Sequence, residues 1–213
     1  MLIGVDFDNT IVCYDEVFYK AARKMGIALE GLEKTKLSIR DRLRKCGKED
    51  SWTKLQGYVY GRCMRDANLF PGVLSFFKRC RLLGVAVVII SHKTRFPYLG
   101  PKYNLHKEAQ AWLKSHGFYD TSQVGLSREV VYFEETKEKK INRISSLNCD
   151  FFIDDLSEFL MDPSFPPGVE KWHFSPQGHH FVSTDLKSYL SWKEIEEELK
   201  SLSGIYEGKR SIL

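Results

Sequence analysis

The sequence predicts an α/β fold in which a parallel sheet is flanked by helices and a small α-helical segment is inserted after the first strand. Three observations carry this reading. Short apolar segments rich in β-branched or aromatic residues recur at Leu2–Val5, Val85–Ile90 and Phe151–Ile153, and each ends in polar residues, the pattern of strands buried on both faces. Stretches with helical spacing of apolar residues lie between them, and such alternation builds layered α/β sheets. Residues 13–69 break the alternation, because they hold helix-spaced apolar residues and many basic ones but no convincing strand.

Leu2–Val5 opens the chain as the first strand. The insertion then shows Val17 and Ala21, and later Leu55, Val59 and Cys63, at helical spacing. The Pro71-Gly72 turn restarts the α/β pattern, so the core is expected to be discontinuous, residues 1–12 plus 70–213, with 13–69 as a helical unit. A helix over Leu74–Leu83 follows, with Phe76, Phe77, Cys80 and Leu83 on one face. It leads into the strand Val85–Ile90, a helix over Lys107–Lys114, a weaker strand at Val130–Phe133, and a helix over Lys137–Leu147 with Ile141 and Ile144 inward. Beyond Phe151–Ile153, the Pro166-Pro167-Gly168 turn precedes a further strand at Trp172–Phe174. From Ser191 onward, Trp192, Ile195, Leu199 and Leu202 recur at helical spacing, and Glu196 and Lys200 form an i,i+4 pair, so the tail reads as a docking helix.

At 213 residues the chain is long enough to bury roughly two-thirds of its unfolded surface in one large domain carrying a smaller insertion. Its 32 Lys and Arg against 28 Asp and Glu leave a net charge of +4, too small and dispersed for a nucleic-acid binder. The longest apolar run, Val85–Ile90, is far short of a membrane span, and Met1–Val5 meets Asp6 before a signal-peptide core forms, so a cytoplasmic protein with no membrane partner is expected. Five scattered cysteines without a C-x-x-C pair suggest neither disulfides nor a zinc knuckle, but reduced and mostly buried thiols.

The chemistry concentrates at strand ends. In Val5-Asp6-Phe7-Asp8-Asn9-Thr10 an apolar strand runs into carboxylates at i and i+2, which face the same way on an extended chain. Ligands of open α/β sheets bind outside the carboxyl ends of strands, where this pair must lie. Phe151-Phe152-Ile153-Asp154-Asp155 repeats the arrangement. Gathering Asp6, Asp8 and Asp154 costs several kcal/mol of like-charge repulsion unless a hard divalent cation neutralises them, and carboxylate, carbonyl and water oxygens suit Mg²⁺. Between the acidic pairs, Ser91 ends a strand and Lys137 opens the helix before Asp154. A strand-end hydroxyl and an ammonium are the groups an anionic substrate needs there.

In this order the residues resemble the four motifs of the haloacid dehalogenase superfamily: Asp6-Phe7-Asp8-Asn9-Thr10, Ile89-Ile90-Ser91-His92, Lys137, and Ile153-Asp154-Asp155. The resemblance implies a Rossmann-like parallel sheet, a helical cap over 13–69, and a Mg²⁺-dependent hydrolase of small phosphate monoesters. By resemblance, Asp6 is the nucleophile that takes the phosphoryl group and Asp8 the acid/base. Ser91, His92 and Lys137 hold the substrate phosphate. The metal is bound by Asp6, the backbone carbonyl of Asp8, and Asp154, with Asp155 orienting the shell. Lys137 is preferred over Lys140 because a helix N-terminus faces the strand ends in a right-handed crossover. The acid at Asp8 favours phosphoryl transfer over halide displacement. A phosphomutase using the same aspartyl phosphate, or a phospho-ligand-binding module without turnover, remain the alternatives.

The expected partner is a small phosphorylated metabolite, a sugar phosphate or nucleotide. Lys54, Tyr58, Arg62 and Arg65 in the insertion are candidates for contacting its distal part, as is the stretch from Lys93 to Tyr103, which alternatively shapes or covers the entrance. Gly178-His179-His180 lacks further ligands for a metal and reads as a turn, while Glu158, Asp162 and Asp185 read as surface or loop positions.

Overall fold

The computed structural model describes residues 1–178 and 186–210, with side chains described through Leu202. Six parallel strands form the main sheet in the order β5-β4-β1-β6-β7-β8. They are β1 (Leu2–Val5), β4 (Ala86–His92), β5 (Val131–Glu134), β6 (Phe151–Asp154), β7 (Glu170–Phe174) and β8 (Lys187–Tyr189). Five of them match the sequence expectation to within two residues at each end. The edge strand β8 was not expected: it is only three residues long, Lys-Ser-Tyr, with no apolar run to mark it.

The central strand β1 pairs with β4 on one side, Val5 opposite Ile89, and with β6 on the other, Val5 opposite Ile153. The chain builds outward from β1 through β4 to β5 and then crosses back to β6, so the strand order switches direction between β1 and β6. Open α/β sheets form their ligand crevice at such a point. Asp6 follows directly on β1, and its N–H continues the ladder to the Ile153 carbonyl at 2.9 Å.

Alternation along the strands sorts the buried side chains into two layers. Ile3, Val5, Phe7, Ile89, Phe151, Ile153 and Trp172 face one cluster, together with α4 (Val73–Leu82), α5 (Leu105–Ser115) and the start of α8 (Trp192–Arg210). Val88, Ile90 and Phe152 face the other, with α6 (Lys137–Ser146) and α7 (Ser157–Leu160). Gly4 belongs to this second face. A β-carbon there would lie 2.5 Å from the Phe152 ring, so only glycine fits.

Residues 14–67 form α1 (Asp15–Lys24), α2 (Lys36–Lys45), α3 (Glu49–Gly61) and a short 3₁₀ turn at Met64–Asp66. Two short antiparallel strands, β2 (Val12–Cys13) and β3 (Asn68–Leu69), pair at the two ends of this segment. Its Val17, Phe18, Trp52, Leu55 and Val59 are buried in the same continuous cluster as the first face of the sheet. Trp112 of α5 donates its indole N–H to the Ala67 carbonyl, and Gly57 and Gly61 of α3 form a flat seat for Pro97 and Tyr103. The stretch from Lys93 to Tyr103 therefore packs on α3. Of the five free cysteines, Cys80 and Cys149 are buried, Cys13 and Cys63 are half-buried and Cys46 is exposed, so fewer are buried than expected. No helix among the described residues is long and apolar enough to cross a membrane.

Candidate active site at the strand switch point

Asp6, Asp154 and Asp155 each offer a carboxylate oxygen, and these oxygens all lie within 4.8 Å of one another. The ends of β1 and β6, which pair in register, bring them together. Lys140 bridges two of them. Its Nζ donates to Asp6 Oδ1 and Asp154 Oδ2, both at 2.6 Å, and the three side chains are buried. With all three carboxylates ionised, one ammonium would leave two negative charges there, which a divalent cation would balance.

The acids carry the mark of that imbalance. Burial raises the Asp6 carboxyl to about 6, helped by Asp154 and Asp8 and opposed by Lys140. Burial, Asp154 and Asp6 likewise raise Asp155 well above the carboxylate range. For Lys140 burial disfavours the charge, yet Asp154 and Asp6 outweigh it and hold the ammonium more firmly than in water.

The placement of the lysines corrects the sequence expectation. Lys137 turns outward, remains 41% exposed and pairs with Asp162 beyond α7, whereas Lys140 reaches the acids. Helical side chains lean toward the N-terminus of their helix. A long side chain one turn inside α6 therefore arrives at the strand ends, while one on the first residue overshoots them. Lys140 also shares the buried stripe of Ile141 and Ile144.

Asp8 is held apart from this cluster. Lys93 Nζ donates to both its oxygens, at 3.0 and 2.8 Å, and the Tyr14 hydroxyl donates to Oδ1 at 2.5 Å. Lys93 is 3% exposed, with its ammonium over the Tyr60 ring 4.6 Å from the centroid. Tyr14 was not singled out from the sequence, and Lys93 only as the start of a stretch that contacts substrate or shapes the entrance, not as a partner of Asp8. Lys93 is two residues past Ser91 on an extended chain, so a period-two reading beyond the strand end would have flagged it. Tyr14, by contrast, is indistinguishable in sequence from a core aromatic residue.

The loop after β1 turns at Asn9, whose φ of 59° is a left-handed conformation that Asn tolerates better than most residues. It is tied down on both sides. The Thr10 hydroxyl accepts from the Asp155 N–H at 3.1 Å and lies 3.4 Å from Asp155 Oδ1, and the Trp192 indole N–H donates to the Thr10 carbonyl. Asp154 is bonded at both oxygens: Lys140 donates to Oδ2 and the Leu156 N–H to Oδ1 at 2.9 Å. Asp155 keeps one oxygen without a hydrogen-bond partner among the described residues.

Ser91, 1% exposed, is the penultimate residue of β4 beside the central strand, and its hydroxyl has no hydrogen bond to another described residue. His92 does not join it. It is exposed, alternates to the opposite face of the strand, and its Nε2 lies 3.2 Å from the Glu135 carbonyl oxygen. The basic candidates of the insertion sit elsewhere as well. Tyr58, Arg62 and Arg65 line a groove between α1 and α3 that includes none of Asp6, Asp8, Asp154 and Asp155, and Lys54 is exposed. A cavity of about 600 Å³ does open beside Asp155 and Asn9, lined by Lys36 and Arg40 of α2 and by His173 and Gln177. Glu158 reaches its rim. His179, His180 and Asp185 lie outside the described residues.

No protein-family model matches the chain, and no curated protein matches it in sequence. Solved structures do match in fold along nearly the whole length. A phosphate- and sodium-bound HAD-family hydrolase of Deinococcus radiodurans superposes with a TM-score of 0.58 at 14% identity, covering 95% of this chain and 96% of that one. A HAD-superfamily hydrolase of Ehrlichia chaffeensis gives 0.53 at 14% identity over 94% and 96%, and a HAD phosphatase of Thermococcus onnurineus gives 0.50 at 16% identity over 93% and 97%. The chain has a haloacid dehalogenase-like fold.

Proposed function

We propose that this chain is a Mg²⁺-dependent hydrolase of small phosphate monoesters that works through an aspartyl phosphate on Asp6. The observation that carries this reading is the buried convergence of Asp6, Asp154 and Asp155 around Lys140 at the strand switch point. The fold shared with hydrolases, one of which bears a phosphate in its structure, supports it.

The metal fits the donor set on grounds of charge, since the three carboxylates once ionised exceed Lys140 by two charges. Asp6, Asp155 and the backbone carbonyl of Asp8 would hold it. Asp154, both of whose oxygens are already engaged, would instead position Lys140. When bound, Mg²⁺ supplies charge neutralisation at the phosphoryl oxygens.

Asp6 then attacks phosphorus through its carboxylate, and the ester oxygen leaves. Lys140 and the Ser91 hydroxyl offset the charge on the transferring oxygens. Covalent transfer replaces one very slow displacement by two faster ones, because the acyl phosphate on Asp6 is far more reactive toward water than the ester. Asp8, positioned by Lys93 and Tyr14, is the acid/base group: in its protonated form it gives a proton to the leaving oxygen, and it regains one from the water that cleaves the acyl phosphate, so each cycle returns it to its starting state. The helical segment 13–69 acts as the cap, and its closeness to the sheet favours small substrates over proteins.

The test is phosphate release from aryl, sugar and nucleotide phosphates with and without Mg²⁺. Turnover is expected only with the metal, and Asp6→Asn should lower it by ~10⁴-fold or more while the far-UV circular dichroism stays unchanged. An Asp6→Asn protein with full turnover overturns the nucleophile assignment. An isomeric phosphate in place of inorganic phosphate points to a mutase.

A further inference from the structure

The cavity beside Asp155 has a charge pattern of its own. Lys36 and Arg40 stand one turn apart on α2, so their side chains share the face that lines it. Lys36 is half-buried, is favoured electrostatically by the Tyr60 phenol, and is flanked by the Phe18 and Tyr60 rings at 5.8 and 5.6 Å from its ammonium. No carboxylate lies within ion-pair distance of it among the described residues. Arg40 spends its Nε on Asp41 at 2.8 Å and retains the Nη donors of its fork.

Asp155 and Asp8 favour the Lys36 ammonium from a distance, but no acid bordering the cavity makes a direct ion pair with Lys36 among the described residues. Asp15 has one oxygen taken by the Lys36 backbone N–H at 2.8 Å, and Asp155 is the proposed ligand of the metal. Glu158 is exposed on the short helix α7. Its charge repels an anion from that side and leaves the α2 side as the favourable one. Gln177 adds a neutral polar group.

We propose that Lys36 and Arg40 form a second anion subsite, so that the substrate is a phosphate ester carrying a further carboxylate or phosphate a few bonds from the ester. This rests on the proposed function for the reacting end of the substrate. The spacing suits it: residues four apart on a helix hold their β-carbons ~6 Å apart, close enough for two long side chains to converge on one anionic group.

The experiment uses the Asp6→Asn protein with Mg²⁺ and three probes of one length: propyl phosphate, 3-(phosphonooxy)propanoate and propane-1,3-diyl bisphosphate. Titration calorimetry is expected to show at least ~10-fold tighter binding of one or both doubly anionic probes than of propyl phosphate, the effect of one or two charge-assisted hydrogen bonds. Whichever of the two binds more tightly identifies the second group. Adding Arg40→Met or Lys36→Met should reduce that ratio to ~3-fold or less, and reading a ratio cancels any general loss of affinity. Equal binding of all three probes, a ratio unmoved by both substitutions, or no binding of either doubly anionic probe overturns the subsite. Mg²⁺-dependent phosphate release by the unsubstituted protein from an aryl phosphate reports separately on the hydrolase reading. Turnover with equal probe affinities sinks only the subsite, and a preserved preference without turnover sinks only the hydrolase.

Discussion

Lys140 and Lys137 differ by one helical turn, yet one sits between two buried carboxylates and the other on the surface with Asp162. Lys140→Met should lower kcat by ~10²- to 10³-fold, the usual loss on removing an electrostatic contact to a transition state. Because it strands two buried acids, it should also destabilise the metal-free protein by about 3 kcal/mol in urea unfolding. Lys137→Met should leave kcat within ~2-fold, since an exposed ion pair contributes little. Equal losses for the two variants would return the role to Lys137. The acids divide in the same manner. Asp155→Asn should raise the Mg²⁺ concentration for half-maximal turnover by ~10-fold or more, and Asp154→Asn should chiefly lower kcat through Lys140. Metal titrations of both variants decide this, and the reverse pattern would make Asp154 the ligand.

At the scale of elements, α3 and the stretch after β4 meet through two glycines. A β-carbon on Gly61 would come within 2.3–2.5 Å of the Tyr103 ring, and one on Gly57 within 2.7 Å of Pro97. Gly61→Ala should therefore destabilise by about 1–3 kcal/mol, the range of overpacked contacts, seen as a lower urea midpoint with the slope unchanged. The same stretch begins at Lys93, whose carbonyl accepts from His106 Nε2 at 2.7 Å if that nitrogen carries the proton. A shift of the stretch is thus expected to reach Asp8, and the variant should lose turnover as well as stability. An unchanged midpoint would mean that Tyr103 moves aside freely.

Over the whole molecule, the acid cluster links metal, protons and stability. Metal-free, Asp6 titrates at about 6 in the folded chain against an ordinary value of 3.8. As pH rises through that window the unfolded chain ionises first, so this group lowers the stability of the metal-free protein between pH ~4 and ~6. Under the proposed function, Mg²⁺ is expected to reverse the penalty by binding the ionised cluster. At a concentration 100-fold above Kd the ion should add about 2.7 kcal/mol, or ~5–10 °C in Tm for a chain of this size, at pH 7. At pH 5 the shift should be smaller, because the ion must displace protons. Thermal melts with Mg²⁺ or with a chelator at both pH values check this, and an equal or larger shift at pH 5 would place the metal elsewhere.

The alternation of apolar strands and amphipathic helices, and the carboxylates that end two of those strands, were legible because strand burial and strand-end chemistry are local patterns. Periodicity found β1, β4, β5, β6 and β7, and it marked Asp6, Asp8, Ser91, Asp154 and Asp155 at their ends. What it could not resolve depends on direction and distance across the fold. Which lysine of α6 reaches the acids follows from the lean of helical side chains over a particular sheet edge. That Lys93 and Tyr14 hold Asp8, and that α2 rather than α3 lines the cavity beside Asp155, follows from how the inserted helices pack on the core. Local spacing determines which residues share a face; only the packed chain decides what that face meets.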